Sequence, residues 1–521
     1  PGSLRHGLGL LLGFGLLAGL LTGAQLLPSL EFVAASTRAS VPYTQAAHGF
    51  LFQDLGQLLV PGLTSVWSPL YVGLLPLGLA AFALTRRLSE VRFWAGAALV
   101  SLVLTFGAQA AAYDAVYWLV PGLALFRGAE RLALIVSLAL AVLAAFGADA
   151  ALSALSRPAR RQFARLTRAG LALTVVALGL LLLVLATALA GLDWAAAADT
   201  LGRWALMAGL TLAVLWVRAR VPALRRWTPA LFVAVAVVDL FSANRGLNVR
   251  PAYAAYPPDP VIAPITAEAG FFRVQDDFRL PGHAGCAYGY SGIEGRTPYQ
   301  IAGYARLLER APEAVRWALL GVRHVVTWRA DLFDAQGQRI ASELAAEGAV
   351  PDEKGNPTRT QRLLAEPRRA WLAQSIRVAA GEDLWAGLAA ADFDPFATVF
   401  LPAPAEAAPN AGPVSVLADV PGRLEFAIQT EAPAVLVVSE PYYAGWRADV
   451  DGQPALVLPA DGALLAVAVP AASGAGPRAV TLRYQPASLA WGGALSALGL
   501  LITGGLLAWP VRGRPGRPGH L

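Results

Sequence analysis

Ionisable residues lie beside two of the apolar segments of this chain, where a phosphate or a hydroxyl-rich ligand could be held. The stretch LFRGAERLAL contains Arg127, Glu130 and Arg131, and PSLEFVAASTRAS contains Glu31 and Arg38. A guanidinium can donate two parallel hydrogen bonds to a phosphate, and a carboxylate accepts hydrogen bonds from sugar hydroxyls. We predict substrate contacts for these residues. The alternatives are a local ion pair in a solvated loop, and arginine stems that extend along an apolar surface to water.

Aromatic residues beside charges form a second kind of candidate, in SEPYYAGWRADVDG. Aromatic rings pack on the C–H faces of sugars because both surfaces are apolar. Tyr442 and Tyr443 precede a strand, so we predict that they are exposed and contact carbohydrate. Trp446 falls on the apolar side of that strand, which predicts a place in the core. Further candidates for ligand contact, each of which could equally be an interfacial or solvated residue, are Asp114, His48, Asp54, Asp276, Asp277, Tyr299 and Tyr304.

Motifs of several enzyme classes are missing from the sequence, which has no HExxH, P-loop or GxSxG pattern. The five histidines are scattered without metal-ligand spacing, so we predict neither a metal nor a bound cofactor. Cys286 is the only cysteine, which excludes an intrachain disulfide. The catalytic residue of an enzyme stays unassigned on these patterns.

The composition is that of a membrane protein. Of the 521 residues, 56% are hydrophobic and 15% are charged, whereas soluble domains carry roughly 25% charged residues. A helix that crosses a bilayer needs about 20 mainly apolar residues. Eight segments reach or approach that length, and the seventh is short and ends at Asp239. They are residues 7–27, 69–85, 92–108, 131–152, 170–191, 201–217, 228–243 and 489–510.

Arginine is distributed unevenly among the loops between these segments. Fifteen arginines lie in the loops after the second, fourth and sixth segments and in the C-terminal tail, and four lie in the alternate short loops and at their edges. Positive charge is retained on the cytoplasmic side of a membrane. The pattern predicts a multi-pass protein of a bacterial plasma membrane, with a cytoplasmic C-terminus and with residues 247–487 extracytoplasmic. The net charge of +6 is then a topology signal, and nucleic acid is not a predicted partner.

Short alternating segments near the C-terminus predict β-structure. In RLEFAIQT, WRADVD and AVTLRY, apolar and polar residues alternate, as in strands with one buried face. The pairs Asp451-Gly452 and Asp461-Gly462 predict tight hairpin turns because both residue types tolerate positive φ. About six such strands suggest a small β-sandwich. Upstream, TPYQIAGYARLLERAPEAVRWALLGVRHVVTW predicts one or two amphipathic helices followed by a strand.

Together these patterns predict a polytopic α-helical membrane protein with about eight transmembrane helices and an extracytoplasmic α/β plus β-sandwich region. Because the chain begins with Pro1 and its first segment lacks a signal-peptide cleavage site, we expect a fragment truncated at its N-terminus. The predicted domains are a bundle of seven transmembrane helices (1–246), an extracytoplasmic α/β region (247–400), an extracytoplasmic β-sandwich (401–487), and a last transmembrane helix with a basic cytoplasmic tail (488–521).

Several stretches resemble the bacterial YfhO family of membrane proteins, distant members of the GT-C glycosyltransferase superfamily. The most specific is LVVSEPYYAGWRADVDGQPALVLPADGALLAVAVP at 436–470. The others are LLPSLEFVAASTRAS (26–40), LLVPGLTSVWSPLYVGLLPL (58–77), LVPGLALFRGAERLALIVSLALAVLAAFGADA (119–150), FRVQDDFRLPGHAGCAYGYSGIEGRTPYQIAGYARLL (272–308), LLGVRHVVTW (319–328) and YQPASLAWGGALSALGLL (484–501).

The resemblance implies a membrane glycosyltransferase that takes a sugar from a polyprenyl-phosphate carrier by inverting displacement. Its acceptor would be an envelope glycolipid or a teichoic-acid-type polymer on the outer face. In GT-C enzymes the main acidic residue lies on the first outer loop, which this fragment is expected to lack, so no residue here takes that role. Two alternatives stay open: a non-catalytic membrane-anchored protein that binds envelope glycans, and a transporter, for which no broken-helix pair or repeated pattern stands out.

Overall fold

The structure is a computed structural model that describes residues 4–508, with the exception of residues 40, 63–68, 87, 121, 124–125, 154–160, 166, 173, 177–178, 180–193, 246–259, 281, 283, 296–298, 349–354, 406–411 and 472–475. The chain folds into two compact units. One is formed by residues 1–39 together with 255–521, and the other by residues 40–254. The predicted domain boundary at 246 therefore differs from this grouping, in which the first 39 residues belong with the C-terminal half of the chain.

The described α-helices are α1 (Leu4–Leu21), α2 (Gly23–Ala35), α3 (Tyr43–Ala46), α4 (Leu74–Ala83), α5 (Ser89–Thr105), α6 (Ala111–Leu119), α7 (Ala133–Leu152), α8 (Trp194–Arg220), α9 (Thr228–Ala243), α10 (Ala263–Ala267), α11 (Ala284–Tyr288), α12 (Ala302–Arg310), α13 (Glu313–Leu320), α14 (Gly381–Leu388) and α15 (Ala487–Ala508). Residues 161–165 and 167–172 are also helical. Short 3₁₀ segments cover Phe52–Leu58, Gly107–Gln109, Ala129–Leu132 and Pro222–Trp227.

The described strands are β1 (Arg273–Asp276), β2 (Val322–Thr327), β3 (Ser342–Glu347), β4 (Arg359–Leu363), β5 (Ala370–Leu372), β6 (Ser375–Val378), β7 (Thr398–Leu401), β8 (Val414–Val420), β9 (Arg423–Ile428), β10 (Ala434–Pro441), β11 (Trp446–Val450), β12 (Gln453–Ala455), β13 (Val457–Ala460), β14 (Leu464–Val469) and β15 (Arg478–Tyr484). All of them lie within residues 260–484, which we call the β-region.

In the unit formed by residues 40–254, α7 packs against α4 and α5. Gly147 permits the close approach of α7 to α4, because a Cβ there would lie 1.9 Å from the carbonyl oxygen of Leu79. Asp239 of α9 is buried and accepts hydrogen bonds from the Tyr71 hydroxyl (2.6 Å) and the Leu74 backbone N–H (2.9 Å). This carboxylate satisfies one of the free N–H groups at the beginning of α4.

In the other unit, α1 and α2 are joined at a bend of 81° and both pack on α15. A Cβ on Gly492 would lie 2.4 Å from the carbonyl oxygen of Gly23, so only glycine fits at this crossing. Ser496 donates a hydrogen bond to Leu21 O (3.0 Å) and accepts one from Ala24 N–H (2.9 Å). Small residues at the crossing thus bring the backbones together, as is common in membrane helices.

A mixed sheet begins the β-region, in the order β1-β2-β4-β3, with β1 and β2 parallel and the other pairs antiparallel. All six residues of β2 are buried, and α12 and α13 precede it. This arrangement confirms the predicted amphipathic helices followed by a strand. A separate two-stranded parallel sheet pairs β6 with β7.

Two antiparallel sheets face each other in the last part of the β-region, in the orders β13-β14-β10-β5 and β12-β11-β15-β9-β8. Their shared core contains Phe426 and Leu482 from the five-stranded sheet and Leu436 and Val467 from the four-stranded sheet. The predicted alternation is confirmed in β9, in β11 from Ala448 and in β15 up to Leu482, where every second residue is buried, whereas Tyr484 at the end of β15 is exposed. The Asp-Gly pairs form tight turns, with φ of 52° and 49° at the two aspartates and 79° and 75° at the glycines that follow.

The prediction of about eight transmembrane helices is wrong. Among the described residues, three helical stretches are long and apolar enough to cross a membrane, namely Ala129–Leu152, Pro222–Ala243 and Ala487–Ala508. The bent pair of α1 and α2 would add a fourth if it formed one span. These helices are compatible with membrane association, and the chain also contains several β-sheets, so it is not a bundle of about eight spans.

The other predicted spans fail for identifiable reasons. Residues 69–85 contain only the ten-residue α4, because the backbone at Gly73 has φ of 91° and the helix begins after it. Residues 92–108 fall on α5, which has 17 residues. Residues 201–217 lie within α8, which has Arg218 and Arg220 in its last turn and is not among the candidate spans. Most of 170–191 lies outside the described residues.

Candidate functional site

The end of α2 is fixed to the β-region by backbone hydrogen bonds. After α2 ends at Ala35, Ser36 forms a β-bridge with Ile301. The N–H of Thr37 then donates to the carbonyl oxygen of Gln300 at 2.9 Å. These contacts, all inside one compact unit, place the two candidate residues of this stretch against residues from the C-terminal half of the chain.

Aromatic rings from four parts of the unit meet at this point. The ring centroid of Phe32 lies 6.4 Å from that of Tyr299 and 6.1 Å from that of Tyr443. Tyr443 in turn lies 6.1 Å from Tyr484, which ends β15. The guanidinium of Arg38 lies 4.7 Å from the Tyr299 centroid. We define the tyrosine cluster as Glu31, Phe32, Arg38, Tyr299, Tyr443 and Tyr484.

The Glu31 carboxylate is the hydrogen-bond acceptor of the tyrosine cluster. Burial, together with the nearby charge of Glu31, raises the pKa of both Tyr443 and Tyr484, so both tyrosines keep their protons at neutral pH. The carboxylate therefore lies close to two protonated phenols. Tyr299 is 39% exposed and Tyr484 is 38% exposed, so each presents ring surface to solvent.

The neighbouring aromatic residues divide between the cluster and the sandwich. Tyr442 packs partly against the sandwich core, and its N–H donates to Ala463 O at 2.7 Å. Trp446 also packs partly against that core, as the alternation predicts. Its ring nevertheless lies 5.6 Å from that of Tyr484. Trp446 thus joins the tyrosine cluster to the sandwich.

The candidates Asp114, His48, Glu130, Arg127 and Arg131 lie in the unit formed by residues 40–254. The Tyr43 hydroxyl donates a hydrogen bond to the Asp114 carboxylate, which raises the pKa of Tyr43 to about 12. His48 Nδ1 lies 3.4 Å from Glu130 Oε2. A Cβ on Gly128 would lie 2.3 Å from a carboxylate oxygen of Glu130, so glycine leaves room for that carboxylate. These pairs form a polar surface on the loops around α6.

Arg127 and Arg131 flank Glu130 in the sequence and are both exposed. Their predicted ligand contacts stay predictions. Among the described residues, no group of three or more His, Cys, Asp or Glu side chains could hold a metal ion. The sequence analysis missed Phe32 and Tyr484. Tyr484 lies between a predicted strand and the last apolar segment, and that position could have indicated an aromatic residue close to the membrane surface.

The sequence matches no protein-family model, no characterised protein and no solved structure.

Proposed function

We propose that this chain is a membrane protein that recognises a saccharide carried on a lipid, and that it does so at the tyrosine cluster. The observation that carries the proposal is the meeting of Glu31, Arg38 and Tyr443, which the sequence places at opposite ends of the chain. Each has the chemistry of sugar or phosphate recognition. The cluster also adjoins α15, which begins three residues after Tyr484 and is a candidate span.

The chemistry of the cluster suits a saccharide close to a lipid surface. The half-exposed faces of Tyr299 and Tyr484 can pack on the C–H face of a sugar. The Glu31 carboxylate accepts hydrogen bonds from sugar hydroxyls, and Arg38 can donate to the phosphate that links sugar and lipid. Tyrosine also favours the boundary between membrane and water, where such a headgroup lies.

For the membrane arrangement we propose that the β-region lies outside the plasma membrane of a bacterium and that the C-terminus lies inside. The arginine-rich stretch between the candidate spans Ala129–Leu152 and Pro222–Ala243 and the arginine-rich C-terminal tail support this orientation. The ligand would then be an envelope glycan or glycolipid, and the partner surface would be the outer leaflet. This arrangement does not require catalysis, and it fits a membrane-anchored glycan-binding protein.

A second candidate function is glycosyl transfer from a polyprenyl-phosphate-linked sugar to an envelope acceptor, as the YfhO resemblance implies. The polar surface around α6 favours it, because Asp114 and Glu130 are carboxylates with hydroxyl and imidazole neighbours. A carboxylate in such a setting can remove the proton of an acceptor hydroxyl. Arg127 and Arg131 would hold the departing lipid phosphate.

Binding to a lipid-linked sugar tests the first proposal. The purified chain in lipid nanodiscs is titrated with a polyprenyl-phosphate-linked hexose and, separately, with the same polyprenyl phosphate without sugar. The double variant Glu31→Gln, Tyr443→Phe should weaken the sugar-dependent affinity by about tenfold, because it removes hydrogen bonds to a charged group. Glu309→Gln, on the exposed side of α12, is the matched control. Equal affinities for the two lipids, or an unaffected double variant, would refute the proposal.

Turnover tests the second candidate. The double variant Arg127→Ala, Arg131→Ala should lower the transfer of sugar from the polyprenyl-phosphate donor in membrane vesicles. Unchanged transfer would remove both arginines from the reaction.

A further inference from the structure

A cleft separate from the tyrosine cluster opens between the beginning of the β-region and the five-stranded sheet. Its volume is about 760 Å³, which is within the range of small-ligand sites. Phe271 and Trp446 line it, together with the carboxylates of Asp419 and Glu440. Aromatic surface and hydrogen-bond acceptors therefore face the same space.

The two carboxylates are held in place from behind by a buried arginine. Arg369 donates to both oxygens of Asp419, at 2.8 and 2.9 Å, and to Glu440 Oε2 at 2.8 Å. The Arg369 side chain is 6% exposed, whereas those of Asp419 and Glu440 are 37% and 29% exposed. Arg369 thus reaches the wall of the cleft with little exposed surface, and the two carboxylates are the more accessible polar groups.

A second arginine ties this arrangement to the scaffold. Arg273 donates to the Ser439 hydroxyl (2.8 Å), to Ser439 O (2.7 Å) and to Leu320 O (2.8 Å). It also lies 3.6 Å from Glu440. The guanidinium carbons of Arg273 and Arg369 are each 5.1 Å from the centroid of the Phe271 ring. These two contacts hold the Phe271 ring in one orientation, so a ligand would meet a preformed surface.

The charge balance of the cleft selects among ligand classes. Two arginines and two carboxylates cancel, so the cleft offers no net charge to an ion. The donors of Arg369 are committed to Asp419 and Glu440, which leaves little with which to bind a phosphate or a carboxylate. An anionic ligand would also meet two carboxylates at the mouth. A neutral ligand that is rich in hydroxyl donors and has one apolar face fits these conditions.

We propose that this cleft is a binding site for a neutral saccharide. Its pyranose ring packs on Trp446 and Phe271, and its hydroxyls donate to Asp419 and Glu440. This proposal rests on the proposed function only because both assume a saccharide ligand. The residues of the cleft are distinct from the tyrosine cluster, apart from Trp446, which is a neighbour of both. It would take a free or polymeric glycan, whereas the tyrosine cluster takes the sugar attached to lipid.

Isothermal titration calorimetry of the full chain in nanodiscs tests the site with five trisaccharides that are neutral, anionic or cationic. These are neutral maltotriose, mannotriose and galactotriose, anionic trigalacturonate and the cationic chitosan trimer. At least one neutral trisaccharide should bind, and the charged trimers should bind at least tenfold more weakly. Tighter binding of a charged trimer, or no binding of any neutral one, would overturn the proposal.

Variants at the rim separate the site from the fold and from the tyrosine cluster. Val420 lines the cleft and is 50% exposed, so Val420→Trp should fill the cleft without disturbing the buried ion pairs. The control is Val378→Trp on β6, where valine is 55% exposed. Val420→Trp should weaken trisaccharide binding at least tenfold and leave lipid-linked sugar binding unchanged. Equal trisaccharide binding by the Val420 and Val378 variants would refute the proposed saccharide site in the cleft. The binding of lipid-linked sugar by the Glu31 and Tyr443 variant tests only the proposed function at the tyrosine cluster.

Discussion

Asp461 is a carboxyl group that the fold buries without a cation. It occupies the turn between β13 and β14 with φ of 49°, and it is fully buried. Its Oδ1 accepts the N–H of Phe400 at 2.9 Å, while Oδ2 has no hydrogen-bond partner among the described residues. Burial raises the pKa of Asp461 to about 7, against the lowering effect of that hydrogen bond. The contribution of this turn residue to the stability of the fold therefore depends on pH.

Replacement of Asp461 by asparagine should remove this sensitivity. The folded carboxyl binds its proton more tightly than the unfolded one, so its contribution to stability is full below the ordinary aspartate pKa. That contribution is lost as the pH rises through about 7. Relative to Asp461→Asn, the unfolding free energy of the natural chain should fall by about 1.4 kcal/mol per pH unit up to neutrality and then level off. Denaturant titrations between pH 5 and 8 measure the difference.

The other Asp-Gly turn supplies the control for that measurement. Asp451 has nearly the same backbone conformation, with φ of 52°, but it is partly exposed and accepts a hydrogen bond from Arg478 at 2.8 Å. That hydrogen bond lowers the pKa of Asp451. The contribution of Asp451 to stability is therefore lost only in acid, as the pH falls through its lowered pKa. Between pH 5 and 8, the unfolding free energy of the natural chain relative to Asp451→Asn should stay constant. The same trend in both variants would contradict the assignment to Asp461.

At the scale of elements, the crossing of α2 and α15 decides whether the tyrosine cluster can form. Glu31 and Phe32 lie on α2, while Tyr484 immediately precedes α15. The two helices approach through Gly23 and Gly492, where side chains would collide with backbone atoms. Because backbone atoms cannot move aside as a flexible side chain can, even one added methyl group has to displace a helix.

Alanine at position 492 tests this crossing. Its Cβ would lie 2.4 Å from the carbonyl oxygen of Gly23, so Gly492→Ala should cost about 1–3 kcal/mol of stability. The adjacent Gly493 has nothing within 4 Å of an added Cβ, and Gly493→Ala should be neutral or stabilising by up to about 1 kcal/mol. Thermal unfolding in detergent compares the two. A Gly492 variant as stable as the Gly493 variant would show that the helices do not pack this closely.

At the scale of the whole molecule, local patterns predicted the β-region better than they predicted the membrane helices. Alternation located β9, β11 and β15 because a strand that covers a core alternates whatever surrounds it. Apolar composition overestimated the number of spans because it does not report where a helix ends. Residues 69–85 are almost wholly apolar, yet a glycine with positive φ delays α4, and the first apolar segment bends by 81° before its predicted end.

Individual residues of the tyrosine cluster could be predicted from the sequence, but the cluster as a whole could not. Residue type and the neighbouring apolar segments were sufficient to select Glu31, Arg38 and Tyr443. Their meeting depends on tertiary contacts between the two ends of the chain, which one sequence does not reveal. The cleft was missed because Asp419 and Glu440 lie on separate strands, β8 and β10, and Arg369 comes just before a third, β5. Each of these residues, taken alone, is typical of a solvated strand end.

The orientation of the β-region can be measured with the cysteine that the chain already contains. Cys286 is the only cysteine in the sequence and is exposed in the β-region. If that region lies outside the membrane, a membrane-impermeant maleimide should label Cys286 in right-side-out vesicles. The control is Gln162→Cys in a Cys286→Ser background, an exposed residue in the arginine-rich stretch between the candidate spans Ala129–Leu152 and Pro222–Ala243, which is predicted to be cytoplasmic. It should be labelled only after the vesicles are opened. The reverse pattern would place the tyrosine cluster and the cleft in the cytoplasm, away from envelope glycans, and would refute the proposed function.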